Sequence, residues 1–369
     1  MSRATRAEIN LSALQHNLQV ARASTQAKIM AVVKANAYGH GMIEISRALS
    51  SCDGFAVATI NEAMDLRESG VYQPILILEG FNCADDLRMV HAYDLQCVIH
   101  NEQQLEILEK NKPKEGTKLI SVWLKIDTGM HRLGFSPQQA NAMFQRLQAC
   151  SNVQQPVHVM THLASADNQD SSFTPEQLNL FTGSISELAL GDEAQLSIAN
   201  SAGLLAWPET HKNTQWVRPG IMLYGSSPVM KHTAEEFELK PVMTLKSEVI
   251  AVHTFKKGDS VGYGQSYVCE KDTRVATVAI GYGDGYPRHA NTGTPVLING
   301  SLFSLIGRVS MDMITIDVST AKNINVGDEV TLWGEGLSAD LIAEHASTIS
   351  YDLFCGVTQR VSFNYSNAG

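Results

Sequence analysis

At 369 residues the chain has room for one large domain and a smaller one. Hydrophobic residues make up 44% of it and charged residues 18%, and no run of about 18 apolar residues occurs, so nothing reads as a membrane span. The net charge of −10 comes without a basic cluster, which argues against nucleic acid as a partner.

The amino-terminal stretch MSRATRAEINLSAL has basic residues but no apolar core or cleavage site behind them, so it does not read as a secretion signal. Cys52, Cys83, Cys97, Cys150, Cys269 and Cys355 are scattered and form no CxxC pair. They read as reduced core thiols of a cytoplasmic protein. Ser12, with Gln15 three residues on, is the expected cap of a first helix whose apolar stripe is Leu11, Leu14 and Leu18.

Short apolar runs then alternate with amphipathic stretches. The runs are Ile29–Val33, Phe55–Ala58, Ile75–Leu78, Leu95–Ile99, Leu119–Ile126, Val157–Thr161, Leu196–Ala199 and Ile221–Tyr224. Helices are expected between them, for example over Asn61–Glu68, Asp85–Val90, Glu102–Lys110, Pro137–Cys150 and Pro175–Leu190. Eight runs with intervening helices fit a (β/α)8 barrel, although a doubly wound sheet gives a similar alternation. After about Phe237 the texture changes to short strands: Pro241–Val252, Arg274–Ile280, Pro295–Ile298, Met313–Val318 and Glu329–Trp333. Glycine turns separate them, and no long helical period returns before Ala339–Ala346. The expected architecture is an α/β chain: a barrel over residues 1–236 and a mostly β domain over residues 237–369.

The stretch Ala31–Gly41, AVVKANAYGHG, places Lys34 at the end of the first barrel run. In strand–helix barrels that end is the catalytic face. A partly desolvated amine there can act as a nucleophile toward a carbonyl, and Tyr38, four residues on, can offer a hydroxyl to a phosphate. A lone lysine after a strand is more often a surface charge, but the whole undecamer resembles the stretch of alanine racemases that carries pyridoxal 5′-phosphate (PLP). The resemblance covers nearly the whole chain, its motifs recurring in order, and it implies Lys34 as the cofactor's anchor.

Leu124–Gly134, LKIDTGMHRLG, carries Arg132, which by resemblance contacts the cofactor's phenolic oxygen and helps place the substrate carboxylate. Lys125 in the same frame corresponds to a lysine that is carbamylated in similar racemases; pairing with a carboxylate such as Asp127 is the alternative. His162, in MTHLASAD, resembles the histidine that lies against the pyridine ring and bonds the next arginine. His158 and His162 have no third ligand nearby, so a metal site is not expected. Ile198–Ala202 and Val217–Gly225 supply Asn200, Ser201, Gly220 and Ile221, which with Tyr38 match the family's phosphate cup. Barrels often bind phosphate at these last loops.

Arg218 sets the reaction type. Arginine is always charged and only donates, so beside the ring nitrogen it leaves that nitrogen unprotonated. Return of the proton to Cα is then favoured over transamination. The two proton carriers implied are Lys34 and Tyr263, the latter in SVGYGQSY. Tyr282 and Arg308 are expected at the substrate entrance, and Met311 and Asp312 in the active-site wall. In the family these β-domain residues come from the neighbouring subunit, which implies a homodimer with shared sites. Gln359 stands where some relatives carry an entrance tyrosine. The implied activity is interconversion of L- and D-alanine, supplying D-alanine for peptidoglycan. A broader amino-acid racemase and a non-catalytic PLP carrier built on the barrel alone remain alternatives. A decarboxylase of this architecture is disfavoured by Arg218, and an NAD oxidoreductase by the lack of a dinucleotide fingerprint in GYGDGYPR.

Overall fold

The computed structural model describes residues 4–113, 116 and 118–367; the first three residues of the amino-terminal stretch lie outside the described residues. Strand β1 (Arg6–Asn10) leads into a helix, Leu11–Ala23, whose cap is Asn10. The Asn10 side chain accepts from the Ala13 N–H at 3.0 Å, so the expected cap at Ser12 falls inside the helix.

Eight parallel strands then close into a barrel: β2 (Lys28–Val32), β3 (Gly54–Val57), β4 (Ile75–Ile77), β5 (Gln96–Ile99), β6 (Ile120–Lys125), β7 (Val153–Met160), β8 (Leu196–Ser197) and β9 (Trp216–Val217). The barrel reading therefore holds against the doubly wound sheet. The helices fall within a few residues of expectation, and some carry capping boxes, as at Thr59 with Glu62 and Ser136 with Gln139. One strand does not hold. Ile221–Tyr224 is a buried 3₁₀ turn, and the eighth strand is the shorter Trp216–Val217. Pro219 ends that strand because it has no N–H to donate, and its carbonyl instead accepts from Val32 N–H at 2.9 Å. Arg218 is thereby the first residue past a strand, at the carboxyl end of the barrel.

The second domain is antiparallel, built from β10 (Met243–Phe255), β11 (Ser260–Val261), β12 (Tyr267–Val268), β13 (Thr273–Val278), β14 (Pro295–Ile298), β15 (Ser301–Ile306), β16 (Ile314–Asp317), β17 (Glu329–Trp333) and β18 (Ser362–Ser366). The order β13-β16-β15-β14-β17-β10 closes on itself through β10–β13 pairing, made possible by a bulge between Val249 and Ala251. Outside this ring β1 pairs antiparallel with β10 and parallel with β18. The first strand of the chain thus belongs to the second domain's sheet, not to the barrel that follows it. No strand is expected over these five residues from the sequence, and their partners in β10 and β18 lie more than 200 residues away. Of the six cysteines, Cys52, Cys97, Cys150 and Cys269 are buried, but Cys83 and Cys355 are exposed rather than in the core.

Candidate active site

Lys34 follows β2 by two residues, and the backbone after it turns the wrong way for L-residues. Ala35, Asn36, Ala37 and Tyr38 all have φ between 52° and 54°. Consecutive left-handed residues without glycine cost about 1–2 kcal/mol each, so the surroundings must impose this turn. Ala37 N–H donates to Val33 O at 2.8 Å, Ala35 N–H to Glu62 Oε1 at 2.6 Å, and Asn36 Oδ1 accepts from Met42 N–H at 2.9 Å. Gly39 ends the turn at φ 79°, where a Cβ would lie 2.1 Å from Phe354 O, so the second domain presses directly on it. The turn holds Lys34 half-buried and folds Tyr38 back into the barrel mouth. There Tyr38 packs between Tyr224, 4.8 Å away, and Tyr351, 5.7 Å away, and burial raises its pKa above the ordinary value.

The residues expected to form a phosphate cup are linked to one another, and Gly220 brings them against the Tyr38 hydroxyl. A Cβ on Gly220 would lie 2.5 Å from Tyr38 Oη. Ser201 Oγ accepts from Gly220 N–H at 2.8 Å and from Met222 N–H at 3.4 Å. A hydroxyl has two acceptor sites and one proton, so Ser201 has its proton left to give to an anion. Asn200 caps the short helix Ser201–Ala206 by accepting from Gly203 N–H at 2.9 Å, and Ile221 opens the 3₁₀ turn beside it.

Arg218 is 4% exposed. It donates to Thr161 O at 2.7 Å, to Ile198 O at 3.2 Å and to Ser197 Oγ, and its Nη2 lies 3.5 Å from His162 Nδ1. Burial pulls its pKa down to about 10, still high enough to keep the charge. His162 is held well below its ordinary pKa by burial, then by the charges of Arg218, Lys125, Arg132 and Lys34, so it is neutral at pH 7. Lys125, at the end of β6, is pulled down to about 8 by burial and then by Arg218 and Arg132, with Asp127 opposing and Lys34 adding to the effect. Asp127 is turned to its own loop: Oδ1 accepts from Gly129 and His131 N–H, each at 3.0 Å, and Oδ2 faces His131 Nδ1 at 3.1 Å. Among the described residues, none of the four cations in this mouth makes an ion pair with a carboxylate. Such a mouth favours an anion.

The β-domain residues gather elsewhere. Tyr263, 70% exposed, sits in a turn between β11 and β12, with Arg308 beside it: a Cβ on Gly264 would lie 3.3 Å from Arg308 Nη1. Tyr282 and Met311 are partly exposed on neighbouring turns that bond through Tyr282 N–H to Ser310 O at 3.0 Å and Gly283 N–H to Met311 O at 2.8 Å. Asp312 accepts from Arg360 at 2.6 Å, and Gln359 is exposed next to that arginine. Among the described residues, no hydrogen bond, ion pair or ring contact joins this group to Lys34 or Arg218 of the same chain.

The family models for the alanine racemase N-terminal domain and C-terminal domain match residues 9–228 and 242–365. The chain belongs to the alanine racemase family. It is 49% identical over 359 residues to "Alanine racemase, biosynthetic" of Escherichia coli, covering 97% of this chain and 98% of that one. The alanine racemase of Aeromonas hydrophila is 48% identical over 97% of this chain and 98% of its own. The solved biosynthetic alanine racemase of Pseudomonas aeruginosa superposes with a TM-score of 0.93 at 42% identity, over 99% of each chain. That of Bartonella henselae, with covalently bound pyridoxal phosphate, gives 0.88 at 27% identity over 98% of this chain and 99% of its own. The chain is accordingly a racemase, and the alanine racemase family is PLP-dependent.

The residues present fit that cofactor. The mouth offers an amine on an imposed turn, a hydroxyl-lined cup, and a guanidinium in place of a carboxylate. Two neighbours escape a reading of motifs alone. Ser197, at the end of β8, takes an Arg218 N–H and donates to Trp216 O at 2.9 Å. Tyr224, its ring tilted against that of Tyr38, donates to Val32 O at 3.0 Å, tying this cluster to β2. A polar residue closing an apolar strand was the available signal for Ser197; Tyr224 carried none.

Proposed function

We propose that the chain interconverts L- and D-alanine with PLP held at the barrel mouth. On this reading it is a cytoplasmic homodimer in which the barrel of one copy, within residues 1–236 but without strand β1, and the β domain of the other, residues 237–369, complete each other's sites. The D-alanine would feed peptidoglycan synthesis. The observation that carries the reading is Arg218, a buried donor at the end of β9 with its guanidinium fixed by carbonyl oxygens. The bound cofactor would supply electron withdrawal that makes the substrate's Cα hydrogen acidic.

Everything else is asked of this chain. Lys34 would anchor the cofactor, and its Nζ would exchange a proton with one face of Cα. Tyr263 Oη, from the neighbouring copy, serves the opposite face. Arg218 would leave the ring nitrogen unprotonated because it has no proton to give up at neutral pH. Neutral His162 lies beside Arg218 and would face the ring. Tyr38, Ser201, Gly220 and Ile221 hold the phosphate, with Asn200 fixing their helix. Arg132 orients the substrate carboxylate, assisted from the partner side by Met311 and Asp312, while Tyr282 and Arg308 line the entrance. Lys125 takes up carbon dioxide to become a carbamate that pairs with Arg132. The exposure of Tyr263, Tyr282 and Met311 supports a shared site, since large side chains so placed are ready to be covered.

Incubation with L-alanine, L-serine and L-lysine in deuterated water tests the activity. Alanine should lose chirality as it gains Cα deuterium, with serine and lysine far slower. Comparable rates on all three would replace this reading with a broad racemase, and no deuterium in any would leave a carrier.

A further inference from the structure

The mouth of the barrel is underlain by a polar connection that the reading above leaves without a role. Gln177, on the helix Phe173–Ser186, is 1% exposed, and its amide is fully engaged. Oε1 accepts from Ala164 N–H at 2.8 Å, and Nε2 donates to His162 O at 3.2 Å and to Thr128 Oγ1 at 3.2 Å. Thr128 Oγ1 lies 2.8 Å from Thr161 Oγ1, and both threonines are buried. The Thr161 carbonyl is the one that accepts from Arg218 at 2.7 Å. A second contact runs in parallel: a Cβ on Gly129 would lie 2.7 Å from the Phe173 ring, so this helix also presses on the loop that carries Arg132.

We propose that Thr128, Thr161 and Gln177 are positioning residues of the reaction, a buried clamp that holds His162, Arg218 and the Arg132 loop in mutual register. The inference rests on the site assignment above and deepens it. Three loops, after β6, β7 and β9, each bring one functional group to the mouth, and loops are the mobile part of a barrel. Only a connection between loops can hold their groups within the tolerance that catalysis needs, where a misplacement of about 1 Å can cost about 100-fold. The amide orientation follows from its partners: flipped, its oxygen would face the His162 carbonyl, acceptor against acceptor. The clamp is buried on the loops after β6 and β7 and on the helix behind them, and none of its three residues is among those assigned to substrate or cofactor.

The test uses the cofactor-loaded enzyme with Thr128→Val, Thr128→Ser and Gln177→Met. Valine and methionine keep the shape and delete the polar links; serine keeps the hydroxyl. The expected result is a kcat for alanine about 10- to 100-fold lower in Thr128→Val and Gln177→Met. KM should change far less, the cofactor's visible absorption band should shift, and Thr128→Ser should recover most of the rate. The double variant should be no slower than the slower single, because both break one connection. If the melting temperature falls while kcat and the absorption band stay put, the three residues are structural only and the proposal fails. It fails equally if serine is no better than valine, or if the two losses multiply. Should Gln177→Met not fold, the Thr128 pair still decides. Lys34→Ala, run alongside, separates the levels: an active Lys34→Ala overturns the site assignment itself, whereas a dead Lys34→Ala beside a normal Thr128→Val overturns only the clamp.

Discussion

The barrel mouth and the exposed face of the β domain, which the proposed function joins in one chemistry, are in opposite physical states. At the mouth, Arg218, Tyr38 and Ser201 are buried, each held by hydrogen bonds or ring contacts to other elements. On the β face, Tyr263, Tyr282 and Met311 stand on short turns with much of their surface open to solvent. A buried network is built for one geometry and is complete in a single chain. An exposed cluster of large side chains is complete only when something covers it. The contrast is what the proposed dimer would explain, with each mouth receiving the other copy's face in an isologous pair.

The largest effect should come from the buried half. Lys34→Ala removes the anchor and one proton carrier together, so the visible band and racemisation should both vanish. Turnover near wild type without an added amine would show that the anchor lies elsewhere. Next in size is Tyr263→Phe. A single acid–base group contributes typically about 10²–10⁴-fold, and racemisation in both directions must fall together because its equilibrium constant is near one. Exchange of the Cα hydrogen without racemisation should split by enantiomer, suppressed for L-alanine and retained for D-alanine, which Lys34 serves. Equal exchange of both would leave Tyr263 a wall residue. Mixing Lys34→Ala with Tyr263→Phe chains tests the sharing directly: the mixed dimer has one intact site, and neither parent has any. No recovery on mixing would mean that each chain builds its own site.

A smaller effect tests the cup. Gly220→Ala puts a methyl group into the Tyr38 hydroxyl, and the ring cannot slide away because Tyr224 and Tyr351 pack on either side. Cofactor affinity should fall about tenfold, equivalent to about 1.4 kcal/mol, in a titration followed by absorbance. An unchanged affinity would show that Tyr38 does not hold the phosphate.

Much of this was legible in the residues. Alternation of apolar runs with helical stripes located the first seven barrel strands, and Lys34, Lys125, His162 and Ser201 stand at or just past the ends of four of them. What escaped depended on distant parts of the chain. The strand Arg6–Asn10 finds its partners in β10 and β18, which no local pattern discloses. Ile221–Tyr224 looked like a strand because it is apolar and buried, but a buried 3₁₀ turn has the same composition, and two residues of Trp216–Val217 suffice to close the barrel. The left-handed turn at Ala35–Tyr38 contradicts the propensities of its own residues and exists because Glu62, Gly39 and Phe354 impose it. The motif around Lys34 points to a role for the residue; it does not show the left-handed backbone that follows it.

The smallest expected effect concerns Lys125, and it turns on the sign of a pKa shift. Burial and the neighbouring guanidinium groups lower this pKa from 10.5 to about 8 in the folded chain. Between about pH 8 and 10.5 the unfolded chain therefore binds more protons than the folded one, and this lysine's contribution to stability rises with pH across that window. Below pH 8 both states hold the proton, and the folded chain carries a disfavoured ammonium. At pH 7 about a tenth of the side chains are neutral, against well under a thousandth for an ordinary lysine. The neutral amine is the form that adds to carbon dioxide, giving a carbamate and releasing one proton. That reaction turns the disfavoured cation into an anion beside Arg132 and Arg218, so the shift and the modification push the same way. Stripping carbon dioxide from the buffer should lower activity a few-fold at pH 7, and bicarbonate should restore it, with a smaller deficit at pH 9. Carbon-13 bicarbonate should give a carbamate resonance that is absent from Lys125→Ala. If no resonance forms and activity ignores carbon dioxide, Lys125 acts as a plain amine, and the positive charge of the mouth is answered by the cofactor's anions alone.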